Sequence, residues 1–176
     1  EEAVLIDLSL GIATGGDATD DVLTSIENLV GSGANDTLIG DGVANALTGG
    51  EGDDSLIGGG GADTLDGGEG GDIADFSQSA AGVAVTIGGG AGVGGDAEGD
   101  ILLNLETLIG SAFNDTLTGD DAANQLRGEA GDDSLPGGAG ADECGVISGG
   151  DAPAIITDFD SAEDEIFIVD PAFDPN

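Results

Sequence analysis

The chain has almost no positive charge. Its 176 residues hold one cation, Arg127, and no Lys or His, against 37 Asp and Glu. A net charge of −36 repels nucleic acid phosphates and anionic bilayers, so neither is expected as a partner. Zinc prefers His and Cys, and the sequence offers no such cluster. Aromatics are scarce, with five Phe and no Trp or Tyr, which argues against a large conventional core. Cys144 is alone, so the chain is not a disulfide scaffold. Four prolines, and glycines that do not recur every third residue, exclude collagen. No run reaches the roughly 18 apolar residues of a membrane span, and no signal-peptide pattern is visible at the amino terminus.

What the chain does have is period. Glycine supplies 36 residues, and an acid or amide returns every nine. Asp36, Asn45, Asp54, Asp63 and Asp72 form one series; Asp115, Asn124, Asp133 and Asp142 form another. Two residues after each comes Leu38, Leu47, Leu56, Leu65 or Ala74, then Leu117, Leu126, Leu135 or Cys144. Charge this high usually means disorder, but here Leu, Ile and Val recur at fixed phase. The unit reads as two small residues, any, small, any, acid, any, apolar, any. Gly49–Ile57 and Gly58–Asp66 fit it fully. Residues 31–75 give five units and 110–145 give four, the last drifting after Asp142. A strict short period implies one small unit stacked on itself. Cys144 takes the inward place of its Leu siblings and reads as a small buried apolar residue.

A longer repeat encloses the first. Ser25–Ser32 matches Asn104–Ser111 at an offset of 79 residues, and Gly15-Gly16-Asp17-Ala18 matches Gly94-Gly95-Asp96-Ala97 at the same offset. Asp21 pairs with Asp100 in this register. The expected organisation is two tandem modules and a cap. Module 1 spans 1–75, with lead segment 1–30 and repeats 31–75. Module 2 spans 76–145, with lead segment 76–109 and repeats 110–145. Residues 146–176, rich in apolar pairs, form the capping segment.

Glycine permits tight, partly left-handed turns, and the three residues after each acid alternate out, in, out, as in a very short strand. Two such strands and two turns make a coil of eighteen residues. Leu38, Leu56 and Ala74 then line one sheet, and Leu47 and Leu65 the other. Stacking brings like charges together, and two unit charges about 4 Å apart repel by roughly 4 kcal/mol at an effective dielectric of 20. A column of them needs counter-charge that the chain lacks. Calcium fits, because it takes six to eight oxygens, accepts carbonyls and tolerates irregular geometry; magnesium demands stricter octahedra. Asp17 and Asp96, at matching places, are expected to add one calcium site per module.

These units resemble the calcium-binding nonapeptide repeats of RTX (hemolysin-type) proteins. The lead segment 82–109 and the ending Ile156-Thr157-Asp158-Phe159-Asp160 are similar to sequences that flank such repeats in secreted bacterial proteins. The resemblance implies an all-β, right-handed parallel β-roll (a β-helix or solenoid) with calcium ions between turns, and export by a type I system to the cell surface or beyond. It also implies that the sixth-position Asp36, Asp54, Asp63, Asp72, Asp115, Asp133 and Asp142 are side-chain ligands. Backbone oxygens of Gly49, Glu51, Gly52, Gly58, Gly60, Gly61, Gly67, Glu69, Gly137, Ala139 and Gly140 would join them. Departures bear on this. Asn45 and Asn124 still supply an oxygen but make weaker sites, and Asp41 and Asp120 replace the second glycine in the same units. Ser32, Ser111 and Glu129 replace it elsewhere, and Pro136 removes a donor from its strand.

Other readings fit less well. Gly58–Gly61 lacks the Gly-Lys-Ser/Thr of a phosphate loop. Asp158–Asp164 lacks the turn glycine of an EF-hand and has Ala162 where an oxygen ligand belongs. A carboxylate pair for glycoside hydrolysis is possible in principle, but no acid stands out from the period and no Ser has a base partner. The expectation is therefore a structural calcium-binding element and not an enzyme. The alternatives are a carboxy-terminal export and folding module of a secreted protease, lipase or epimerase, or an adhesin or surface-matrix repeat.

Overall fold

The computed structural model describes residues 2–147, 155, 156, 158, 159 and 163–169. The three residues after most of the repeat acids form a strand, which is only three residues long in most turns and runs on through the glycine pair in Ala46–Glu51 and Thr64–Glu69. Among the described residues, the strands are β1 Leu5–Asp7, β2 Ile12–Thr14, β3 Asn28–Val30, β4 Thr37–Ile39 and β5 Ala46–Glu51. They continue as β6 Ser55–Ile57, β7 Thr64–Glu69, β8 Ile73–Asp75, β9 Ala84–Thr86 and β10 Ile101–Leu103. The last are β11 Thr107–Ile109, β12 Thr116–Thr118, β13 Gln125–Arg127, β14 Glu143–Ile147 and β15 Glu165–Val169. In β4, wholly buried Leu38 lies between half-buried Thr37 and Ile39, the alternation a one-sided strand requires.

Strands of the first array alternate between two sheets. β4, β6 and β8 lie in a sheet of order β15-β14-β13-β11-β8-β6-β4-β1-β2, while β3, β5 and β7 lie in one of order β10-β7-β5-β3. Pairing within the arrays is parallel, and Leu38 registers on Leu56, Leu56 on Ala74, and Leu47 on Leu65. The core is a single row from each sheet, with Leu38, Leu47, Leu56, Leu65, Leu108, Leu117, Leu126 and Leu135 fully buried in one cluster. Burying a leucine stabilises by about 1.5–3 kcal/mol, which offsets the conformational freedom the glycines lose.

The 79-residue repeat returns as structure. The β1–β2 hairpin, with Leu5 opposite Thr14, has its counterpart in the antiparallel bridge of Ala84 to Val93. A 3-10 turn at Gly16–Ala18 has its counterpart at Gly95–Ala97. These antiparallel contacts depart from a purely parallel expectation. Gly11 and Gly88, at φ +67° and +64°, permit the reversals.

The counterparts exchange sheets. β1 pairs β4 in the large sheet, whereas their counterparts β9 and β12 form a separate pair. The cause lies between β8 and β11. There the chain runs out to β9, which the following strand β12 joins, and then returns as β10 to pair the earlier β7. Gly88 N–H donates to Leu102 O at 2.9 Å and ties the end of β9 to β10. β11 then resumes the large sheet between β8 and β13.

Pro136 has the expected effect. No strand forms around it among the described residues, only isolated bridges of Ser134 to Thr116 and Ile155, although Pro136 O still accepts Gly119 N–H at 2.9 Å. Cys144 is buried, and burial first, then nearby acids, pushes its thiol up to about 11. β15 pairs β14 in parallel. Of the expected capping segment, residues 148–154, 157, 160–162 and 170–176, with Thr157 and Asp160 of the Ile156–Asp160 ending, lie outside the described residues.

Candidate metal centre

Each buried acid at the sixth position faces the coil before it. Asp54 Oδ1 accepts the N–H of Asp36, Asp72 Oδ1 that of Asp54, and Asp63 Oδ1 that of Asn45, all at 2.8 Å and eighteen residues apart. Asp133 and Asp142 do the same for Asp115 and Asn124. Asp36 and Asp115 accept from Val4 and Val83 across the lead segments, at 2.7 Å. One carboxylate oxygen therefore serves coil-to-coil bonding. The second oxygen is what remains for chemistry.

Outside the turn before Asp133, the remaining side-chain oxygen meets one of two fates. Where Ser or Asp replaces the second glycine, the turn closes on itself. Asp36 Oδ2 accepts Ser32 N–H, and Asp115 Oδ2 accepts Ser111 N–H at 2.6 Å. Asn45 and Asn124 Oδ1 accept the N–H of Asp41 and Asp120 at 2.8 Å. The side chains of Ser32, Asp41, Ser111 and Asp120 also bond the backbone two residues on, in local turns that mimic a backbone turn. Where glycine holds the second position, as in the turns before Asp54, Asp63, Asp72 and Asp142, the buried Oδ2 has no hydrogen-bond partner among the described residues.

A buried carboxylate oxygen without a partner is costly. Its surroundings are oxygens. At Gly49, an added Cβ would meet both Asp54 Oδ2 and, at 2.5 Å, the carbonyl of Gly67 one coil on. Only a residue without a side chain leaves that space open. The same convergence brings the Gly49 carbonyl and Asp36 Oδ2 to Gly31, the Gly58 carbonyl and Asn45 Oδ1 to Gly40, and the Gly137 carbonyl and Asn124 Oδ1 to Gly119. Carboxylate oxygens beside main-chain carbonyls form the donor set of a hard cation, and calcium fits it. Among the described residues no three acids cluster closely enough to hold a metal through side chains alone, so carbonyls must supply the rest.

Burial raises these acids, and like charges raise them further. Asp63, Asp72 and Asp133 are pushed up to about 6, and Asp54 and Asp142 are raised too. In every case burial is the largest cause, partly opposed by the backbone N–H donated to the carboxylate. An acid held in this way favours a proton or a metal ion over remaining bare.

The other residues named from sequence are distributed as follows. Gly52 meets Glu69 O through its N–H at 2.9 Å, and Gly60 and Ala139 donate to Asp41 O and Asp120 O. Gly61 and Gly140 pack on the backbone of Val43 and Ala122 one coil back. The Glu51 and Glu69 side chains are exposed at the ends of β5 and β7, in register with each other. Asp17 is exposed on its 3-10 turn, while Asp96 is half-buried and its N–H donates to Ser79 Oγ at 3.0 Å.

Three acceptors outside the nonapeptides also join the ladder. Asp100 accepts from Asp63, Glu106 from Asp72 and Asp164 from Asp142. The signal for them was in the sequence. Asp100-Ile-Leu102, Glu106-Thr-Leu108 and Asp164-Glu-Ile166 repeat the acid-x-apolar triplet without its glycine turn.

Comparison with protein families agrees with this geometry. The model of the RTX calcium-binding nonapeptide repeat, in four copies, matches residues 23–42, 39–74 and 109–144, together half of the chain. No curated protein matches the sequence.

Proposed function

The chain belongs to the RTX calcium-binding nonapeptide repeat family, and from that premise we propose that it is a structural, calcium-closed parallel β-roll of a secreted or surface bacterial protein. The repeats of this family bind Ca2+. The observation that carries the reading is the set of buried Oδ2 atoms of Asp54, Asp63, Asp72 and Asp142 that no hydrogen bond among the described residues satisfies. Calcium bound beside them neutralises the acid column and links each turn to the next. Asp54, Asp63, Asp72 and Asp142 are the principal side-chain ligands. Carbonyls of the glycine turns complete the shell, and Asp36, Asp115, Asn45 and Asn124 serve weaker positions.

Residues 1–75 and 76–145 act as two tandem modules, with 146–176 as a cap. No helix among the described residues is long and apolar enough to cross a membrane. The role is mechanical: folding outside the cell and presenting whatever adjoins it. Where calcium is scarce, inside the cell, 37 acids repel one another and the chain stays open for export. Where calcium is plentiful, binding energy becomes folding energy.

A calcium titration followed by circular dichroism tests this. Cooperative gain of β signal is expected with a midpoint in the roughly 10⁻⁴–10⁻³ M range of extracellular modules. A sub-micromolar midpoint would let the chain fold before export and refute the switch. An unchanged β spectrum in excess chelator would refute calcium-driven folding itself.

A further inference from the structure

We propose that Asp100, which lies outside the residues matched by the family model, closes an additional calcium site with Asp63 and the turn oxygens of residues 58–62. The proposal rests on the calcium reading above and names a site at the join between the two arrays. Asp100 is wholly buried; its Oδ1 accepts Asp63 N–H at 2.8 Å, and its Oδ2 has no hydrogen-bond partner among the described residues. Asp63 is also buried, and among the described residues its Oδ2 has no hydrogen-bond partner either. That oxygen faces the turn, since a Cβ on Gly58 would lie 2.5 Å from it.

The two carboxylates are locked together by backbone. Ile101 N–H donates to Asp63 O at 2.8 Å, and β10 runs in register along β7, with Leu102 on Leu65. The 3-10 turn before Asp100 takes the place of a glycine turn and seats on the turn below. Gly99, at φ +97°, approaches so closely that a Cβ there would be 2.7 Å from that of Ala62. Two more acids bear on the pair: Asp96, from the 3-10 turn, acts on both, and Asp41 acts on Asp63. No cation balances them. The single cation, Arg127, bonds Gln125 on β13. A hard divalent ion satisfies both orphaned oxygens at once.

The molecule contains its own control. Asp21-Val22-Leu23 is the counterpart of Asp100-Ile101-Leu102 one long repeat earlier, but among the described residues its pairing is an antiparallel bridge of Val22 to Ile12, with no parallel strand against it as β7 lies against β10. Asp21 is exposed, and Val22 is 82% exposed, where Ile101 is half-buried on β7. The same triplet is therefore a site only where a glycine turn precedes it in space.

Native mass spectrometry in calcium counts ions on the full chain and its variants. Asp100→Asn keeps the Oδ1 acceptor for Asp63 and removes the charge. It should bind one calcium fewer than the wild type with an unchanged β spectrum, and Asp21→Asn should bind the wild-type number. An Asp100→Asn chain that folds and holds the full number of ions overturns the site and means that a proton alone satisfies Asp100. Should Asp100→Asn fail to fold, Asp96→Asn decides. At least a threefold weaker affinity for one ion supports the site, and unchanged affinity for every ion overturns it. A wild-type chain that binds no calcium overturns the calcium reading itself, a result distinct from the loss of one ion.

Discussion

The main-chain N–H of Asp72 donates to Glu106 Oε2 at 2.8 Å, across 34 residues. Within the arrays the equivalent bond spans eighteen residues and ends on an aspartate. Here a glutamate, one methylene longer, does the same work where the chain re-enters the large sheet. The reverse contacts close the clasp, as Glu106 and Thr107 N–H both donate to Asp72 O, at 3.1 and 2.9 Å. Removing the acceptor leaves the N–H of a fully buried residue unpaired, at about 1–3 kcal/mol. Each kcal/mol is about 2–4 °C in melting temperature for a chain of this size. Glu106→Ala in saturating calcium should therefore melt several degrees lower, whereas Glu27→Ala, its exposed counterpart, should melt with the wild type. Equal melting of the two variants would mean that the clasp is not structural.

The route between the arrays predicts one cooperative unit. β10 returns to β7 and β11 to β8, so the segment after residue 76 is built into the sheets of the first array. Stacked repeats share stability through such neighbour interfaces. Calorimetry in calcium should give a single transition, and limited proteolysis should not yield two stable halves cut near residue 90. Two separated transitions would show that the arrays are independent.

The two kinds of turn predict unequal mutations. Asp54→Ala removes both the acceptor for Asp36 N–H and an orphaned oxygen beside Gly49. Asn45→Ala removes a neutral acceptor for the nearby Asp41 N–H. In saturating calcium, Asp54→Ala should lower the melting temperature clearly more than Asn45→Ala. At a calcium level just above the folding midpoint the difference should widen, because the missing oxygen then limits how firmly the turn holds its ion. A difference of the same size in both conditions would assign it to hydrogen bonding alone.

Much of this was legible in the sequence because it is local. The period placed Leu38 and Leu56 in one sheet and Leu47 and Leu65 in the other, and register bears that out. Pro136 marked the place where regular pairing lapses. The exchange of sheets between counterpart strands was not legible. It depends on β9 and β10 taking places in the stack opposite to their order in the chain, a long-range choice that no nine-residue window contains. Asp100 and Glu106 were missed for a related reason. They carry the acid-x-apolar triplet but no glycine turn, so they fall outside the consensus while keeping its geometry. Of the closed turns, only those of Asn45 and Asn124 were expected from the sequence to make weaker sites. The structure adds that the N–H groups of Asp41 and Asp120 occupy the oxygens of those amides, a contact that the residue types alone do not show.

The raised acids predict opposite pH responses with and without calcium. Burial pushes Asp63, Asp72 and Asp133 up to about 6 and Asp100 to about 7, from 3.8. Between pH 4 and 7, then, the folded chain binds protons that the unfolded chain has released. Stability without metal must fall as pH rises through that window and recover on acidification. In chelator, lowering pH from about 7 to about 4.5 should raise β content and melting temperature. In saturating calcium the ion occupies the same oxygens, and protons compete with it, so the same acidification should lower the melting temperature. The two slopes cross in sign because one set of carboxylates serves both ligands. Melts across this range, with and without calcium, decide it: slopes of the same sign in both series would mean that the titrating acids are not those the calcium uses.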